Sequence, residues 1–304
     1  MLLSGMIGKV LPVVLQDCTN TSYMGRYSFS GHESFFCKPL WLKKAYDAMN
    51  EGVNFSSPDA VAALGVGKNM VASIRFWSRA FGLCVNDIPT HFAASIFDSN
   101  SGYDPYLEDE GTLWLLHYYL LIKKVASLYH LTFLDFQREK REFDRNQLLT
   151  FVRRKCNVPE QKNVYNENTV KKDIGVLLHN YVMPTDIRSN EDFSAIFLDL
   201  GLINALGSDR YSFNETDPSH IHPDILLYVL LDYKGEDNTI SLDGMQDVAL
   251  VFGLSLTNLI ELIREVVAQH PEDLSYTDNS GVKNLQIIHN IDAAAVLYHY
   301  YTKA

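Results

Sequence analysis

The clearest hydrophobic pattern in the chain predicts two short helices joined by a glycine turn. Ser57, Pro58 and Asp59 form a helix start, with a capping side chain, a proline at the first helical position and an acid in the first turn. Gly65 then supplies a left-handed helix end. A second helix is predicted over 68–81, because its apolar residues recur every three or four positions. This arrangement is typical of a helix-turn-helix unit.

Two further units of the same kind are predicted downstream. A helix over 146–156 precedes a loop, and Asn168 is predicted to cap the helix that follows. A third unit has helices over 243–251 and 256–269, and the run LSYTDNSGVKNLQII beyond them alternates apolar and polar residues around a turn, which predicts a β-hairpin. The predicted fold class is therefore mainly α, with tandem helix-turn-helix or winged-helix units that carry small β-hairpin wings.

The remaining apolar segments indicate core positions. Residues 111–136 are apolar on nearly all sides, so a buried helix is predicted there, and its histidines His117 and His130 are interpreted as packed core residues. The cysteines form no CxxC pair, which predicts buried thiols in a reducing compartment. They are Cys18, Cys37, Cys84 and Cys156.

The chain is predicted to have four parts and to be cytoplasmic. No apolar run is long enough to span a membrane, and the chain start lacks the basic residues and cleavage site of a signal peptide. The parts are an N-terminal extension over 1–23, a helix-turn-helix domain with the FSGHESF and DPYLEDE motifs over 24–137, a basic helix-turn-helix unit over 138–185, and an acidic winged-helix-like domain over 186–304.

Charge is distributed unevenly along a chain whose net charge is −11 at pH 7. Residues 138–172 hold 10 Lys and Arg against 5 Asp and Glu, whereas residues 173–304 hold 6 against 20. Local charge rather than the total decides where a polyanion binds. DNA is therefore expected at the basic segment, and the acidic third is expected to contact a basic protein or to shield the basic surface.

The basic faces of the first two units provide candidate DNA contacts. The exposed face of the predicted helix over 68–81 is small, polar and basic, which suits a recognition helix whose early residues reach base edges while arginines reach phosphates. The alternative is a helical hairpin that only packs, with solvated charges. The candidate DNA-binding residues are Lys68, Asn69, Ser73, Arg75 and Arg79 in the first unit, and Arg153, Arg154, Lys155, Lys171 and Lys172 in the second.

Two short runs contain the residues best suited to catalysis. FSGHESF presents His32 and Glu33 as candidate catalytic residues, a general base or a metal ligand. GYDPYLEDEGT holds four carboxylates that predict a Mg²⁺ or Mn²⁺ site for phosphodiester chemistry. The candidate ligands are Asp104, Glu108, Asp109 and Glu110. Two alternatives stay open: a purely structural turn at His32, and acids that stabilise the N-terminus of the following helix.

The runs FSGHESF, WLKKAYD, LGVGKNMVASIRFWSRAFGL and DPYLEDEGTLWLLHY resemble, in order and spacing, a bacterial family of unknown function found in DNA phosphorothioation and phage-defence islands. The resemblance covers residues 24–304, with its strongest motifs before residue 120. It implies a protein that nicks or engages DNA so that partner proteins, an ATPase, a sulfur-transfer enzyme and a cysteine desulfurase, can place sulfur in the backbone. It supplies no established catalytic residue.

The basic helix-turn-helix units predict a DNA-binding protein. The resemblance implies that it is a component of a phosphorothioate modification or phage-defence system, with metal-dependent DNA nicking endonuclease activity. One alternative is a helix-turn-helix transcription regulator that binds duplex DNA without chemistry. Another is an assembly adaptor whose acidic third docks a basic partner. The expected partners are DNA and the other phosphorothioation proteins, without a membrane, and a homo-oligomer is compatible with each alternative.

Overall fold

The computed structural model describes residues 26–184, 194–279 and 282–303, and within them the chain is mainly helical with three small antiparallel sheets. The helices are α1 (Pro39–Asn50), α2 (Asp59–Leu64), α3 (Lys68–Ala80), α4 (His91–Phe97), α5 (Glu110–Lys123), α6 (Ser127–His130), which continues as a π-helical turn (Leu131–Phe136), α7 (Gln137–Glu139), α8 (Arg145–Cys156), α9 (Glu167–Tyr181), α10 (Pro223–Lys234), α11 (Leu242–Val251), α12 (Leu256–Gln269) and α13 (Ala293–Lys303). The strands are β1 (Cys84–Val85), β2 (Ile88–Pro89), β3 (Glu142–Asp144), β4 (Ile203–Gly207), β5 (Arg210–Phe213), β6 (Thr239–Ser241), β7 (Leu274–Asn279) and β8 (Val282–Ile287). The predicted extension over 1–23 lies outside the described residues.

The predicted helix pair of the first unit is present as α2 and α3. The hydroxyl of Ser57 accepts the backbone N–H of Asp59 at 3.3 Å, as a residue at a helix start does. Gly65 ends α2 with φ 65°, the left-handed conformation that glycine adopts at low cost. A tight hairpin, β1 and β2, follows α3 directly.

The same element order occurs twice after residue 126. In the first case α6 and its continuation are followed by β3, α8, α9, β4 and β5, and the sheet order is β3-β5-β4. In the second case α10 is followed by β6, α11, α12, β7 and β8, and the sheet order is β6-β8-β7. The β-hairpin predicted from the run LSYTDNSGVKNLQII is present as β7 and β8, although its turn residues 280 and 281 lie outside the described residues.

The prediction of one helix over 111–136 is wrong. α5 ends at Lys123, and Lys124 adopts φ 57°, a left-handed conformation that stops the helix. The hydroxyl of Ser127 donates to the carbonyl of Lys124 at 2.8 Å and also accepts a backbone N–H from Ser28 at 2.8 Å. The break therefore depends on a distant backbone contact, which hydrophobic spacing does not reveal.

The predicted cap of the second unit's long helix is also displaced. Asn166, not Asn168, accepts the backbone N–H of Thr169 at 3.0 Å, so α9 begins two residues earlier than predicted. Asn168 instead occupies the first turn. Asn166 and Asn168 have the same capping propensity, so propensity alone does not identify the cap.

The interior forms one contiguous apolar core that joins all three units. His117 is fully buried, its Nδ1 lies 2.7 Å from the hydroxyl of Tyr181, and burial lowers the pKa of His117 to about 3. The prediction that it is a packed core residue is confirmed. Cys37, Cys84 and Cys156 are free and buried as predicted, while Cys18 lies outside the described residues. No helix in the described ranges is long and apolar enough to cross a membrane.

Candidate functional site

The motif FSGHESF belongs to a segment, residues 26–38, that packs between α3 and α9. The backbone N–H of Ser30 donates to Asp173 Oδ2 on α9 at 2.7 Å. On the other side, the indole N–H of Trp77 on α3 donates to the carbonyl of Phe35 at 3.2 Å. The 26–38 segment thus connects the long helix of the first unit to that of the second.

His32 is buried at the centre of the 26–38 segment. Its Nδ1 accepts the backbone N–H of Ser34 at 3.1 Å, so Nε2 carries the proton and donates to Asp173 Oδ1 at 3.0 Å. The imidazole also stacks on Trp77, with ring centroids 6.0 Å apart. Burial and two hydrogen bonds make His32 part of a structural link between the two helices rather than a solvent-facing group.

The turn around His32 is tight, and it separates the two candidate catalytic residues. Gly31 has φ 104°, and a Cβ there would lie 2.5 Å from a ring carbon of Phe76, so only glycine fits. Glu33 has φ 49° and its side chain is exposed. Sequence adjacency therefore does not bring Glu33 into the buried environment of His32.

The first carboxylate of the acidic run organises its own turn. Asp104 is buried, and its two oxygens accept the backbone N–H groups of Glu108 at 2.8 Å and Asp109 at 3.1 Å. Glu108 is exposed. Asp104 therefore satisfies backbone donors within the run instead of facing the other carboxylates.

The last two carboxylates belong to the start of α5. Asp109 caps the helix by accepting the backbone N–H of Thr112 at 3.1 Å, and the hydroxyl of Tyr300 donates to it at 2.9 Å. Glu110 lies 3.2 Å from Nδ1 of His220. These contacts agree with the alternative in which the acids stabilise the N-terminus of a helix.

The acidic run does not fit a four-carboxylate metal site. Over the residues that the structure describes, no group of three or more His, Cys, Asp and Glu side chains is arranged to hold a metal ion. Asp104 and Asp109 direct their oxygens toward backbone donors, and Glu108 faces solvent. The set predicted to bind Mg²⁺ or Mn²⁺ is therefore divided among separate local roles.

The exposed face of α3 is smaller than predicted but remains polar and basic. Lys68, Asn69 and Arg79 are exposed, and neither cation forms an ion pair within the described part of the chain. Ser73 is fully buried, so the prediction that it lies on the exposed face is wrong. Its position falls between Val71 and Ile74, where the small hydroxyl packs into the core instead of reaching solvent.

Arg75 is held by the hairpin that follows α3. Its guanidinium makes two hydrogen bonds to the carboxylate of Asp87, at 2.8 and 2.6 Å, and a third to the hydroxyl of Ser56 at 3.2 Å. Asp87 lies in the turn between β1 and β2. Arg75 therefore joins α3 to the hairpin, and its donors are largely occupied.

Most of the candidate cations of the second unit are neutralised locally. Lys172, in the second turn of α9, is the exception: it is exposed and has no ion pair with any described residue. The four paired cations lower the local positive charge of this unit. Their ion pairs are Arg153–Glu167, Arg154–Glu139, Lys155–Asp135 and Lys171–Glu167.

Asp173 was not singled out from the sequence, although a signal for it is present. It lies three residues after Val170 and four before Leu177, which places a carboxylate on the apolar face of a helix. A buried acid on such a face needs donors from elsewhere in the fold. His220 and His222 were also missed; they line one cleft with Glu110.

The sequence matches the family described as a protein of unknown function (DUF4007) over residues 29–301. Two solved structures resemble the chain: a magnesium ion-bound SspB crystal structure, with a TM-score of 0.80, and an SspB crystal structure, with a TM-score of 0.79. Each is 28% identical in sequence and covers 91% of this chain and 89% of the other chain. No curated protein sequence matches the chain.

Proposed function

The chain belongs to the DUF4007 family of proteins of unknown function, and from this membership we propose that it is a DNA-binding component of a DNA phosphorothioation and phage-defence system. The likeness to SspB over most of both chains supports this assignment. The observation that carries DNA binding is the exposed face of α3, where Lys68 and Arg79 lie without carboxylate partners among the described residues, next to Asn69. Cations left free of internal partners suit the phosphate backbone.

The two repeated blocks of elements are proposed to be winged-helix units. The order helix, strand, helix, helix, strand, strand, with the first strand next to the last, supports this assignment in both blocks. The pairing of β3 with β5 further supports placing the end of the second unit at Phe213, beyond the boundary at 185 expected from the sequence. The unit that contains α2 and α3, with the β1–β2 hairpin as its wing, is proposed to be the main DNA reader.

Binding isotherms at several salt concentrations test this proposal. Replacing Lys68 and Arg79 together with alanine should lower the affinity for all duplexes. It should also reduce the slope of log binding constant against log salt concentration by about 1.8, at about 0.9 per phosphate contact. Asn69→Ala should relax sequence preference and leave the slope unchanged. Arg264→Ala, which removes an exposed cation from the acidic third, is the matched control and should bind like the wild type.

An unchanged slope in the double variant would contradict the proposal. Wild-type protein without DNA affinity at physiological salt, but with capture of a basic partner, would favour the adaptor. Sequence-specific footprints on a promoter, without effect on phosphorothioation, would favour the transcription regulator.

DNA nicking is a separate part of the proposal, supported by the family resemblance rather than by a metal site in this chain. Because a solved relative holds a magnesium ion, Mg²⁺ is the cation to test; Mn²⁺ has no such support. Supercoiled plasmid incubated with the protein and Mg²⁺ should yield open-circular product. The exposed Glu33 is the candidate to replace, and Glu33→Gln should abolish the product. Failure of the wild type to nick would leave only the binding role.

A further inference from the structure

A cavity of about 350 Å³ lies between α4 and the loop after it on one side and α10 and α13 of the acidic third on the other. It is lined by residues of α4, by the loop over 98–103, and by one face each of α10 and α13. Neither α3 nor α9 contributes to it, so it is distinct from the proposed DNA-binding surface. Small residues in the first turn of α13, Ala293 and Ala294, leave the space open.

Two carboxylates, those of Asp98 and Asp232, line this cavity together with the imidazole of His91. Its described lining contains no lysine or arginine. Asp98 accepts the backbone N–H groups of Asn100 at 3.0 Å and Ser101 at 2.9 Å, and these bonds lower its pKa. Its carboxylate is therefore ionised at neutral pH.

Asp232 is the more enclosed of the two carboxylates. The hydroxyl of Tyr118 donates to its Oδ2 at 2.7 Å, and Lys123 and a hydrogen bond from Tyr119 also favour the charged form. Burial outweighs these contacts and raises the pKa of Asp232. A further positive charge near this carboxylate would be favourable.

The walls between the two carboxylates are aromatic and aliphatic. Phe92, Tyr103 and Tyr228 line the cavity together with Leu297. The hydroxyl of Tyr228 lies 2.6 Å from that of Tyr119, so its polar end has a partner inside the protein. Aromatic faces attract cations, and apolar walls accept a methylene stem.

We propose that this cavity binds an organic cation, a guanidinium or ammonium group on an apolar stem. The two carboxylates select for positive charge, the aromatic side chains pack against the stem, and the acidic surroundings of residues 173–304 attract cations from solution. An anion such as a nucleotide phosphate would be repelled by the two carboxylates. The cation has two sources, a free small molecule or an arginine side chain of a partner protein.

Isothermal titration with matched probes tests the proposal. Butylguanidinium carries the charge, butylurea has the same shape without it, and acetyl-Gly-Arg-Gly-amide represents a partner's side chain. Full-length protein should bind butylguanidinium measurably and butylurea at least about tenfold more weakly, since a charge-assisted bond is lost. A peptide that binds tighter than butylguanidinium identifies a protein partner as the source; the reverse order identifies a free cation.

Two variants on one helix separate the cavity from nonspecific surface charge. Ala294→Leu fills the cavity without changing charge and should abolish binding of both cations, whereas Ala295→Leu, on the exposed side of α13, should bind like the wild type. Asp232→Asn should weaken butylguanidinium about tenfold. Equal affinity for butylguanidinium and butylurea, no binding of either cation, or unchanged binding in Ala294→Leu would overturn the proposal.

Discussion

Asp173 is the residue on which the position of the 26–38 segment depends most directly. One oxygen accepts the backbone N–H of Ser30 in a partly buried contact, and the other accepts the N–H of His32 Nε2 in the interior. Because these donors belong to a segment about 140 residues away in sequence, their contact holds a long loop closed. His32 and Asp173 therefore help to hold the 26–38 segment against α9.

Removing this carboxylate should destabilise the fold. Asp173→Ala leaves the buried imidazole N–H of His32 and the partly buried backbone N–H of Ser30 without an acceptor. We expect the free energy of unfolding to fall by about 3 kcal/mol. Urea denaturation followed by tryptophan fluorescence measures the effect, because Trp77 stacks on His32. Glu139→Ala, which breaks an exposed pair with Arg154, is the control and should cost less than about 1 kcal/mol. Equal losses in both variants would contradict the structural role of Asp173.

His117 should make the stability of the protein depend on pH. Its pKa is about 3 in the folded protein, against about 6.5 in an unfolded chain, so the unfolded state binds the extra proton between these values. The free energy of unfolding should therefore fall by about 1.4 kcal/mol per pH unit as the pH drops from 6.5 towards 3, and this contribution is complete above pH 6.5.

Comparison with His117→Gln isolates this contribution. The glutamine does not titrate, and the carboxylates that also respond to acid are common to both proteins. Urea denaturation at pH 7, 6, 5 and 4 should show a steeper decline for the wild type. If the free energy of unfolding declined equally in the two proteins, His117 would bind its proton as readily in the folded state as in the unfolded state.

At the scale of elements, α3 carries two arginines one turn apart with different surroundings. Arg79 is exposed, whereas Arg75 is bound to Asp87 in the β1–β2 turn. We expect Arg79→Ala to reduce the salt dependence of DNA binding by about 0.9 with little change in stability. Arg75→Ala should instead lower the free energy of unfolding by about 1 kcal/mol and leave the salt dependence nearly unchanged.

Asp87→Asn provides the matched control for this pair. It weakens the same contact from the other side, and should reproduce the stability loss of Arg75→Ala while keeping the positive charge. If Arg75→Ala changes the salt dependence as much as Arg79→Ala does, Arg75 leaves Asp87 when DNA binds.

The sequence predicts those elements whose ends are marked locally. The ends of α2 are marked by a capping residue and a left-handed glycine, and α3 and α12 by the spacing of their apolar residues. The hairpin of β7 and β8 is marked by an alternating run. Each of these signals lies within a few residues of the element it predicts. The break at Lys124 and the pairing of β3 with β5 depend on contacts from distant parts of the chain, so spacing alone does not give them.

The same distinction applies to the candidate site. The exposure of Lys68, Asn69 and Arg79 follows from helical periodicity, because it depends only on their own helix. Arg75 and Arg154, in contrast, form ion pairs with Asp87 and Glu139, and these carboxylates lie on other elements of the fold. The number of free cations was therefore overestimated from composition.

At the scale of the whole molecule, residues of the acidic third pack in the same apolar core as α5. Trp114 of α5 contacts Phe252, with ring centroids 5.5 Å apart, and the hydroxyl of Thr112 lies 2.7 Å from that of Tyr301. The central helix α5 is thus covered by residues from the end of the chain.

Ending the chain after residue 216 should therefore abolish cooperative folding. The truncation exposes the apolar face of α5, and we expect circular dichroism to show no sharp thermal transition. The control is Tyr298→Ala in the full chain, which removes an exposed aromatic side chain of α13 and should leave the melting temperature within a few degrees of the wild type. A cooperative transition in the truncated chain would show that the first two units fold independently.

The 26–38 segment also has a consequence for the shape of any DNA that contacts both α3 and α9. Because His32 packs on Trp77 and bonds to Asp173, the two helices are held at one separation. A duplex that contacts both helices must place two stretches of its backbone at that separation. Because the protein holds the separation fixed, the DNA has to bend or twist to fit, and the deformation energy is that of the DNA. Sequences with easily deformed steps, such as TA and CA, would then be preferred at base pairs that the protein does not touch.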